Sequence, residues 1–326
     1  MQSSSFTFAS DDGLDIFVRK WMPAPDCQLV GIVQISHGLA EHGRRYGETA
    51  SRLTAAGYGV YASDHRGHGR SVIEPRDFGF FGRNNGWLRA AKDLHRLSKL
   101  IKTEHQEIPL VLLGHSMGAQ LSQQLIMQEA RELAGVVLSG ATGTIGLMRH
   151  AARLLARIER ARLGEYGRSK LLHGMSFGSF NRQFEPARTQ LDWLSRDDEE
   201  VDDYISDPLC GFVATAQLWL DMLDAVPNLQ AHKSYKWTPQ ELPILIVSGD
   251  QDPVSKGGRA LKGLVRVFNK TGFQDVRLKI YPGGRHELLH ETNREEVLVD
   301  LIKWLDEVVG VPDESGDKIV LPEDSN

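Results

Sequence analysis

Pro109-Leu110-Val111-Leu112-Leu113-Gly114-His115-Ser116-Met117-Gly118 is the stretch whose reading decides the fold of this 326-residue chain. Five apolar residues in a row read as a short strand buried on both faces. The segment from Ala119 to Arg131 reads as a helix. Between the two stands Gly-x-Ser-x-Gly. A strand that turns at once into a helix leaves no room for a Cβ at either flank, which is why glycine is needed at Gly114 and Gly118. The turn lifts the Ser116 oxygen above the sheet, beside the amino end of the helix, whose free N–H groups stabilise an oxyanion. Ser116 is therefore a candidate nucleophile.

Working outward, buried runs and helical patterns alternate. Ser5–Ala9 and Asp15–Trp21 flank Asp11-Asp12-Gly13 and read as an antiparallel hairpin. Strands then follow at Leu29–Ile35, Tyr58–Ala62, Leu110–Leu113 and Gly135–Leu138. Helical patterns fall between them at Tyr46–Ala56 and Trp87–His105. The alternation stops near Gly140 and resumes at Pro243–Val247, followed by a helix around Arg259–Phe268, a strand at Val276–Tyr281 and a last helix at Glu295–Val309. This predicts an α/β fold: a mostly parallel eight-stranded sheet with helices on both faces and a helical insertion after the sixth strand. The expected division is a core of residues 1–140 and 242–310 and a cap of residues 141–241 over the strand ends, where ligands bind in open α/β sheets. Residues 311–326 carry five acids against one lysine, plus two prolines, and read as a disordered tail.

Composition narrows the function classes. Hydrophobic content of 41% and charged content of 25% are ordinary for a soluble globular protein. A net charge of −5 offers no electrostatic case for nucleic acid. Cys27 and Cys210 form no disulfide framework or CxxC motif, and the N-terminus lacks the basic flank and apolar run of an export signal. No stretch approaches the length of a membrane span. A soluble cytoplasmic enzyme is the expectation; the oligomeric state is not legible.

A serine hydroxyl is a weak nucleophile and needs an adjacent base, itself oriented by a third group. In a strand–serine–helix architecture the partners follow in the order serine, acid, histidine. Two loops directly after strands supply them: Ser248-Gly249-Asp250-Gln251-Asp252-Pro253 and Pro282-Gly283-Gly284-Arg285-His286. Spacing alone leaves Asp250 and Asp252 equivalent.

The chain resembles the α/β-hydrolase family, and within it the monoacylglycerol lipase and lysophospholipase-like branch that is grouped with serine aminopeptidases. The resemblance rests on His37-Gly38-Leu39-Ala40-Glu41-His42 with Arg45-Tyr46, on Asp64-His65-Arg66-Gly67-His68-Gly69-Arg70-Ser71, on the Gly114 turn, on Gly249-Asp250-Gln251-Asp252 and on Gly283-Gly284-Arg285-His286. It spans roughly residues 5 to 310. It implies a catalytic triad of Ser116, Asp252 and His286, with Asp250 a turn former. It implies an oxyanion hole of the Leu39 and Met117 backbone N–H groups, with His37 and the Asp64–Ser71 loop structural. The implied activity is carboxylic ester hydrolysis through an acyl-enzyme, on monoacylglycerols or lysophospholipids. A general carboxylesterase or a peptidase of the same fold is the alternative. No metal or organic cofactor is expected.

Two rivals from other classes are weighed against this. His286-Glu287-Leu288-Leu289-His290 spells H-E-x-x-H, the zinc-protease signature, which needs both histidines on one helix face. Here His286 follows Tyr281-Pro282-Gly283-Gly284 too closely to lie inside a helix, and zinc would leave Ser116 and Asp252 unexplained. A non-catalytic binding protein on this scaffold would be expected to lack a triad member, and none is missing. Two histidines and an aspartate in Asp64–His68 are also a possible ligand set, one their spacing does not favour.

Specificity is expected in the insertion. Leu147, Met148, Ala151, Leu154, Leu155 and Ile158 form an apolar stripe at helical spacing. Residues 141–170 hold seven Lys/Arg against two acids. The plain reading is a helix packed on the core with a solvated charged face. The sharper one is an interfacial helix that dips into an anionic membrane or micelle. Residues 185–207 hold nine acids against Arg188 and Arg196, a solvated face or partners for the basic helix. Phe177, Phe180, Phe212, Trp219 and Leu220 are candidates for an acyl tunnel or for ordinary core. The expected partner is a small lipid-like ester.

Overall fold

The computed structural model describes residues 1–143, 146 and 148–311. The acidic tail lies outside the described residues from 312 onward, as does Leu147 of the apolar stripe. Among the described residues, eight strands form one sheet. They are β1 (Gln2–Ala9), β2 (Asp15–Met22), β3 (Gly31–Ser36), β4 (Tyr58–Ser63), β5 (Leu110–His115), β6 (Gly135–Ser139), β7 (Ile244–Gly249) and β8 (Val276–Tyr281). Their spatial order is β1-β2-β4-β3-β5-β6-β7-β8. The β1–β2 hairpin is antiparallel and β2 also runs antiparallel to β4; the remaining pairs are parallel.

Alternation along the inner strands sorts their residues into two apolar layers. Ile32, Leu110, Leu112, Val136, Leu138, Ile244 and Ile246 face α2 (Gly86–Glu104), α3 (Met117–Ile126) and α9 (Leu261–Thr271). Val33, Ile35, Val111, Leu113, Val137 and Val247 face α1 (Gly47–Ala55) and α10 (Arg294–Val309). Both faces are covered, so β3 to β7 read as continuous apolar runs rather than alternating ones. Each fully buried Leu or Ile here contributes about 2 kcal/mol of transfer free energy. The helix after Ser116 begins two residues earlier than its apolar pattern and ends at Ile126 rather than Arg131. Gln128 and Glu129 close a turn on Leu125 O, and Glu129 is exposed.

Between β6 and β7 lie α4 (Met148–Leu163), α5 (Lys170–Met175), α6 (Phe177–Phe180), α7 (Asp198–Ser206) and α8 (Ala216–Leu229). The apolar stripe of α4 splits. Leu155 and Ala156 pack with Leu172, Ala216, Trp219, Leu220 and Leu223, but Leu154 and Ile158 are 60% and 53% exposed. The stripe is thus wider than the groove that α8 offers, and only its inner edge is packed.

Five of the nine acids in residues 185–207 pair with bases outside α4. Arg188 takes Asp198 and Asp202, Arg294 takes Asp197, His290 takes Glu200 and His42 takes Asp207. Arg153 of α4 pairs with Asp224 of α8.

Candidate active site

Register places the site. Ser36 of β3 lies opposite Gly114 of β5, so the loops beginning at His37 and at Ser116 leave the sheet side by side. Gly249 of β7 lies opposite Tyr281 of β8, so the Asp250–Pro253 and Pro282–His286 loops do the same. The chain winds from β3 to β4 on one side and continues at β5 on the other, which makes the β3/β5 gap the switch point where open α/β sheets bind ligands.

Ser116 occupies the left-handed region at φ +52° and ψ −114°, a strained conformation of the kind that clusters at functional turns. The flanking glycines fit as expected. A Cβ on Gly118 would overlap Ser36 O, and one on Gly114 would overlap Gly118 O and Ser122 Oγ. Met117 opens α3, where backbone N–H groups have no acceptor within the helix.

His286 and Asp252 meet across 34 residues. Asp252 Oδ1 accepts from His286 Nδ1 at 3.1 Å and from Val254 N–H at 2.9 Å, while Oδ2 accepts from Ser248 Oγ at 3.2 Å. Burial works against the Asp252 charge, but His286 and these hydrogen bonds outweigh it and hold the carboxyl below its ordinary range. Burial likewise pulls His286 down, yet Asp252, with Glu287 and Glu41, raises it above the ordinary histidine value. The imidazole is in tilted contact with the rings of Trp193 and His115, each 4.9 Å away between centroids. Asp250 faces elsewhere: its Oδ1 accepts from Gly283 N–H at 2.8 Å and braces the histidine loop from outside.

Ser116 and His286 line the same cavity of about 200 Å³, whose walls mix polar groups of Glu41, His115, Gln190, Tyr204 and Glu287 with apolar Leu39, Phe177, Leu191, Trp193 and Leu194. Ser116 also lines a second, mostly apolar chamber of about 280 Å³ with Leu39, Met117, Phe177, Phe180, Trp219 and Met222. The tunnel candidates are thereby sorted. Phe177, Phe180 and Trp219 reach the chamber. Phe212 packs against Phe78 and His68 instead, and Leu220 joins the α4–α8 contact. Two larger openings, of about 770 and 800 Å³, are lined mainly by polar and charged surface residues and do not include Ser116.

His37 and the Asp64 loop are structural in their contacts. His37 Nδ1 donates to Gly38 O at 2.8 Å and its Nε2 accepts from His65 N–H at 3.0 Å, which defines a neutral ring. Asp64 accepts from the Gly43 and Arg70 backbone N–H groups at 2.9 and 2.8 Å and pairs with Arg19, shaping its loop. The H-E-x-x-H stretch does not form one helix face. His286 precedes the short Leu288–His290 turn, Glu287 is bound by Arg45, and His290 Nδ1 faces Glu200 Oε2 at 3.1 Å.

Among the described residues, two other groups bring potential metal ligands within 4.8 Å of one another, His42/Asp207/Cys210 and Glu41/His115/Glu287. Both are occupied by protein. His42 Nδ1 accepts from Arg44 N–H, so Nε2 carries the proton it donates to Asp207. Both glutamates of the second group are already engaged by the Arg45 guanidinium.

A sheet of this order, with a glycine-flanked serine after the fifth strand, defines an α/β hydrolase. Residues 28–293 match the family described as serine aminopeptidase, S33. The monoacylglycerol lipase of Mycolicibacterium smegmatis is 31% identical over 308 residues, covering 93% of this chain and 96% of that one. The monoglyceride lipase of Rattus norvegicus is 29% identical, covering 92% and 89%. A thermostable carboxyl esterase from Bacillus coagulans, solved in complex with glycerol, superposes with a TM-score of 0.84 at 26% identity, covering 95% and 99%. The chain belongs to the S33 serine aminopeptidase family, and its relatives place it among the carboxylic ester hydrolases.

Sequence reading missed the walls of the site. Trp193 against His286, and the carboxylates of Glu41, Glu287 and Glu291, acquire their roles from partners remote in the chain. Glu291, fully buried, accepts from Arg285 N–H at 2.9 Å and from Arg196 N–H at 3.1 Å, joining the histidine loop to the insertion. A fully buried carboxylate leaves no local mark beyond its letter.

Proposed function

We propose that Ser116, His286 and Asp252 are the catalytic triad of a hydrolase that cleaves monoacylglycerols, with residues 141–241 acting as its cap. Ser116 Oγ attacks the ester carbonyl carbon while His286 Nε2 takes the hydroxyl proton. Asp252 accepts the Nδ1–H of His286, which leaves Nε2 free to act as base. The Leu39 and Met117 N–H groups hold the oxyanion, each such donor being worth about 3 kcal/mol in the transition state. The carbonyl carbon–oxygen bond to glycerol then breaks, glycerol leaves with the proton from His286, and water releases the fatty acid by the same steps in reverse.

The observation that carries this reading is the position of Ser116 at the junction of two unlike cavities. The mostly apolar chamber on one side suits an acyl chain, and the smaller one on the other, of mixed lining with Glu41, Gln190, Tyr204 and Glu287 among its walls, suits a polyol. The two lipases named above, of Mycolicibacterium smegmatis and Rattus norvegicus, take their names from the same ester class. The test compares hydrolysis of a monoacylglycerol and a lysophosphatidylcholine of matched chain length, with Ser116→Ala as the blank and a chelator control. Preference for the monoacylglycerol, lost in the variant and indifferent to chelator, is expected. Preference for the phospholipid would reassign the head group, and turnover that survives Ser116→Ala would reject the triad.

We further propose that the outer face of α4 and α5 rests on the lipid surface that presents the substrate. Leu154, Ile158, Leu171 and Met175 are each about half exposed or more, and exposed Arg157 lies beside the first two. An apolar face edged by cations is the pattern of interfacial helices. Co-sedimentation with anionic vesicles is expected to fall when Arg149, Arg153 and Arg157 are replaced by glutamate. Unchanged binding would remove the surface contact while leaving the chemistry untouched.

A further inference from the structure

At the wall of the smaller cavity lies a buried ionic group that the mechanism above does not use. Arg45 is only 9% exposed, and its carboxylate partners Glu41 and Glu287 are 2% and 4% exposed. The guanidinium donates through one nitrogen to Glu41 Oε2 at 2.9 Å and to Glu287 Oε1 at 2.8 Å. Its second terminal nitrogen reaches Glu287 Oε2 at 2.7 Å. A planar fork can engage two carboxylates at once in this way, where a lysine ammonium acts as a point charge.

Each carboxylate belongs to a catalytic loop. Glu41 Oε1 accepts from Gly38 N–H at 2.5 Å and from Tyr46 OH at 3.0 Å, so it shapes the turn that presents the Leu39 N–H. Glu287 directly follows His286 in the chain, and its own N–H donates to Leu194 O at 2.8 Å. The next residue of the first loop, Ala40, sits in the left-handed region at φ +59°. Its carbonyl is held by Tyr204 OH at 2.8 Å and by Gly211 N–H at 2.9 Å. The Tyr204 ring lies against the Arg45 guanidinium, 4.8 Å from ring centroid to Cζ. Two loops more than 240 residues apart in sequence thus share one cation.

We propose that Arg45 is a positioning residue that holds the oxyanion-hole loop and the histidine loop in register through Glu41 and Glu287. A buried ion group of this kind is seldom the most stable way to fill a core, since apolar residues of similar volume often serve as well. Its geometric effect is different in kind. It ties the donor of the oxyanion hole to the general base, and both must meet one tetrahedral carbon. The inference rests on the triad proposed above. It adds that the two loops are set by a common strut rather than each by its own strand.

The test uses a short soluble ester, so that surface binding plays no part, and the full chain throughout. Arg45→Lys, Arg45→Met and Tyr204→Phe are compared with the parent for kcat, KM, thermal midpoint and inhibition by a trifluoromethyl ketone that mimics the tetrahedral intermediate. Arg45→Met is expected to lower kcat at least 30-fold with KM within threefold, and to weaken the ketone in proportion to kcat. Arg45→Lys should recover a part of that loss, and Tyr204→Phe should lower kcat about tenfold with little change in midpoint. If Arg45→Met fails to fold, the lysine and phenylalanine variants decide. The strut is overturned if the folded variants keep parental kcat, or if they lose KM and kcat together while ketone affinity stays unchanged. Parental turnover that survives Ser116→Ala would instead overturn the triad itself, so the two failures are distinct.

Discussion

Asp252→Asn is expected to lower kcat on a soluble ester by about 10⁴-fold, the scale found when a triad aspartate is neutralised, while Asp250→Asn stays within a few-fold of the parent. The asymmetry follows from what each side chain accepts. Asp252 Oδ1 receives His286 Nδ1–H and Val254 N–H, and Oδ2 receives Ser248 Oγ–H. An asparagine keeps one acceptor there: with its carbonyl toward His286 and Val254 the negative charge that stabilises the imidazolium is lost, and with its carbonyl toward Ser248 its NH₂ faces the histidine. In the second case the imidazole carries its proton on Nε2, where it can no longer accept one from Ser116. Asp250 uses one oxygen to accept from Gly283 N–H, a role the asparagine carbonyl can fill.

The pH dependence carries a sign as well. In the parent, Asp252 helps to lift His286 above its ordinary value, and the base works only when neutral. Activity therefore falls as pH drops through that raised value. Without the carboxylate the acid limb of any residual kcat/KM should move to lower pH. Equal losses at positions 250 and 252 would reject the assignment of the acid.

Gly249→Ala is expected to cost at least 100-fold in kcat and to lower the thermal midpoint by several degrees, although residue 249 contributes no chemistry. Gly249 ends β7, and the backbone of Gly284 and Arg285 passes directly over it. A Cβ there would overlap Gly284 O, which has no flexible side chain to swing away. Overpacking of this kind costs about 1–3 kcal/mol. The strain would be relieved by parting the two loops that carry Asp252 and His286. A misplacement of about 1 Å at a reacting group is enough for a 100-fold loss. Circular dichroism melts and kinetics on one preparation separate the two effects. A variant with parental midpoint and parental kcat would mean that the loops do not rely on this close approach.

Much of this site is visible before folding because its chemistry sits at strand ends. Ser116, Asp252 and His286 each follow an apolar run, and such runs mark buried parallel strands whose ends share one edge. The glycines at 114 and 118 report a close backbone approach, which the structure places at Ser36 O and Gly118 O. The insertion was less legible. Phe177, Phe212, Trp219 and Leu220 look alike as letters, yet two of them reach the apolar chamber and two do not. Helical periodicity likewise predicted the α4 stripe but not that Leu154 and Ile158 would stay in solvent.

By itself the sequence determined the order of strands and helices along the chain, the interruption after the sixth strand, and which loops bring Ser116, Asp252 and His286 to one edge of the sheet. These are local properties: an apolar run, a turn that tolerates only glycine, a residue placed just past a strand. Residue spacing left Asp250 and Asp252 equivalent, the family resemblance pointed to Asp252, and the tertiary structure sets Asp252 against His286. Tertiary structure alone decided that Trp193 lies against the imidazole and that Arg45 joins Glu41 to Glu287. Those contacts depend on strand register and on where remote loops cross. A carboxylate that will meet an arginine 242 residues away is locally the same as one that will meet water.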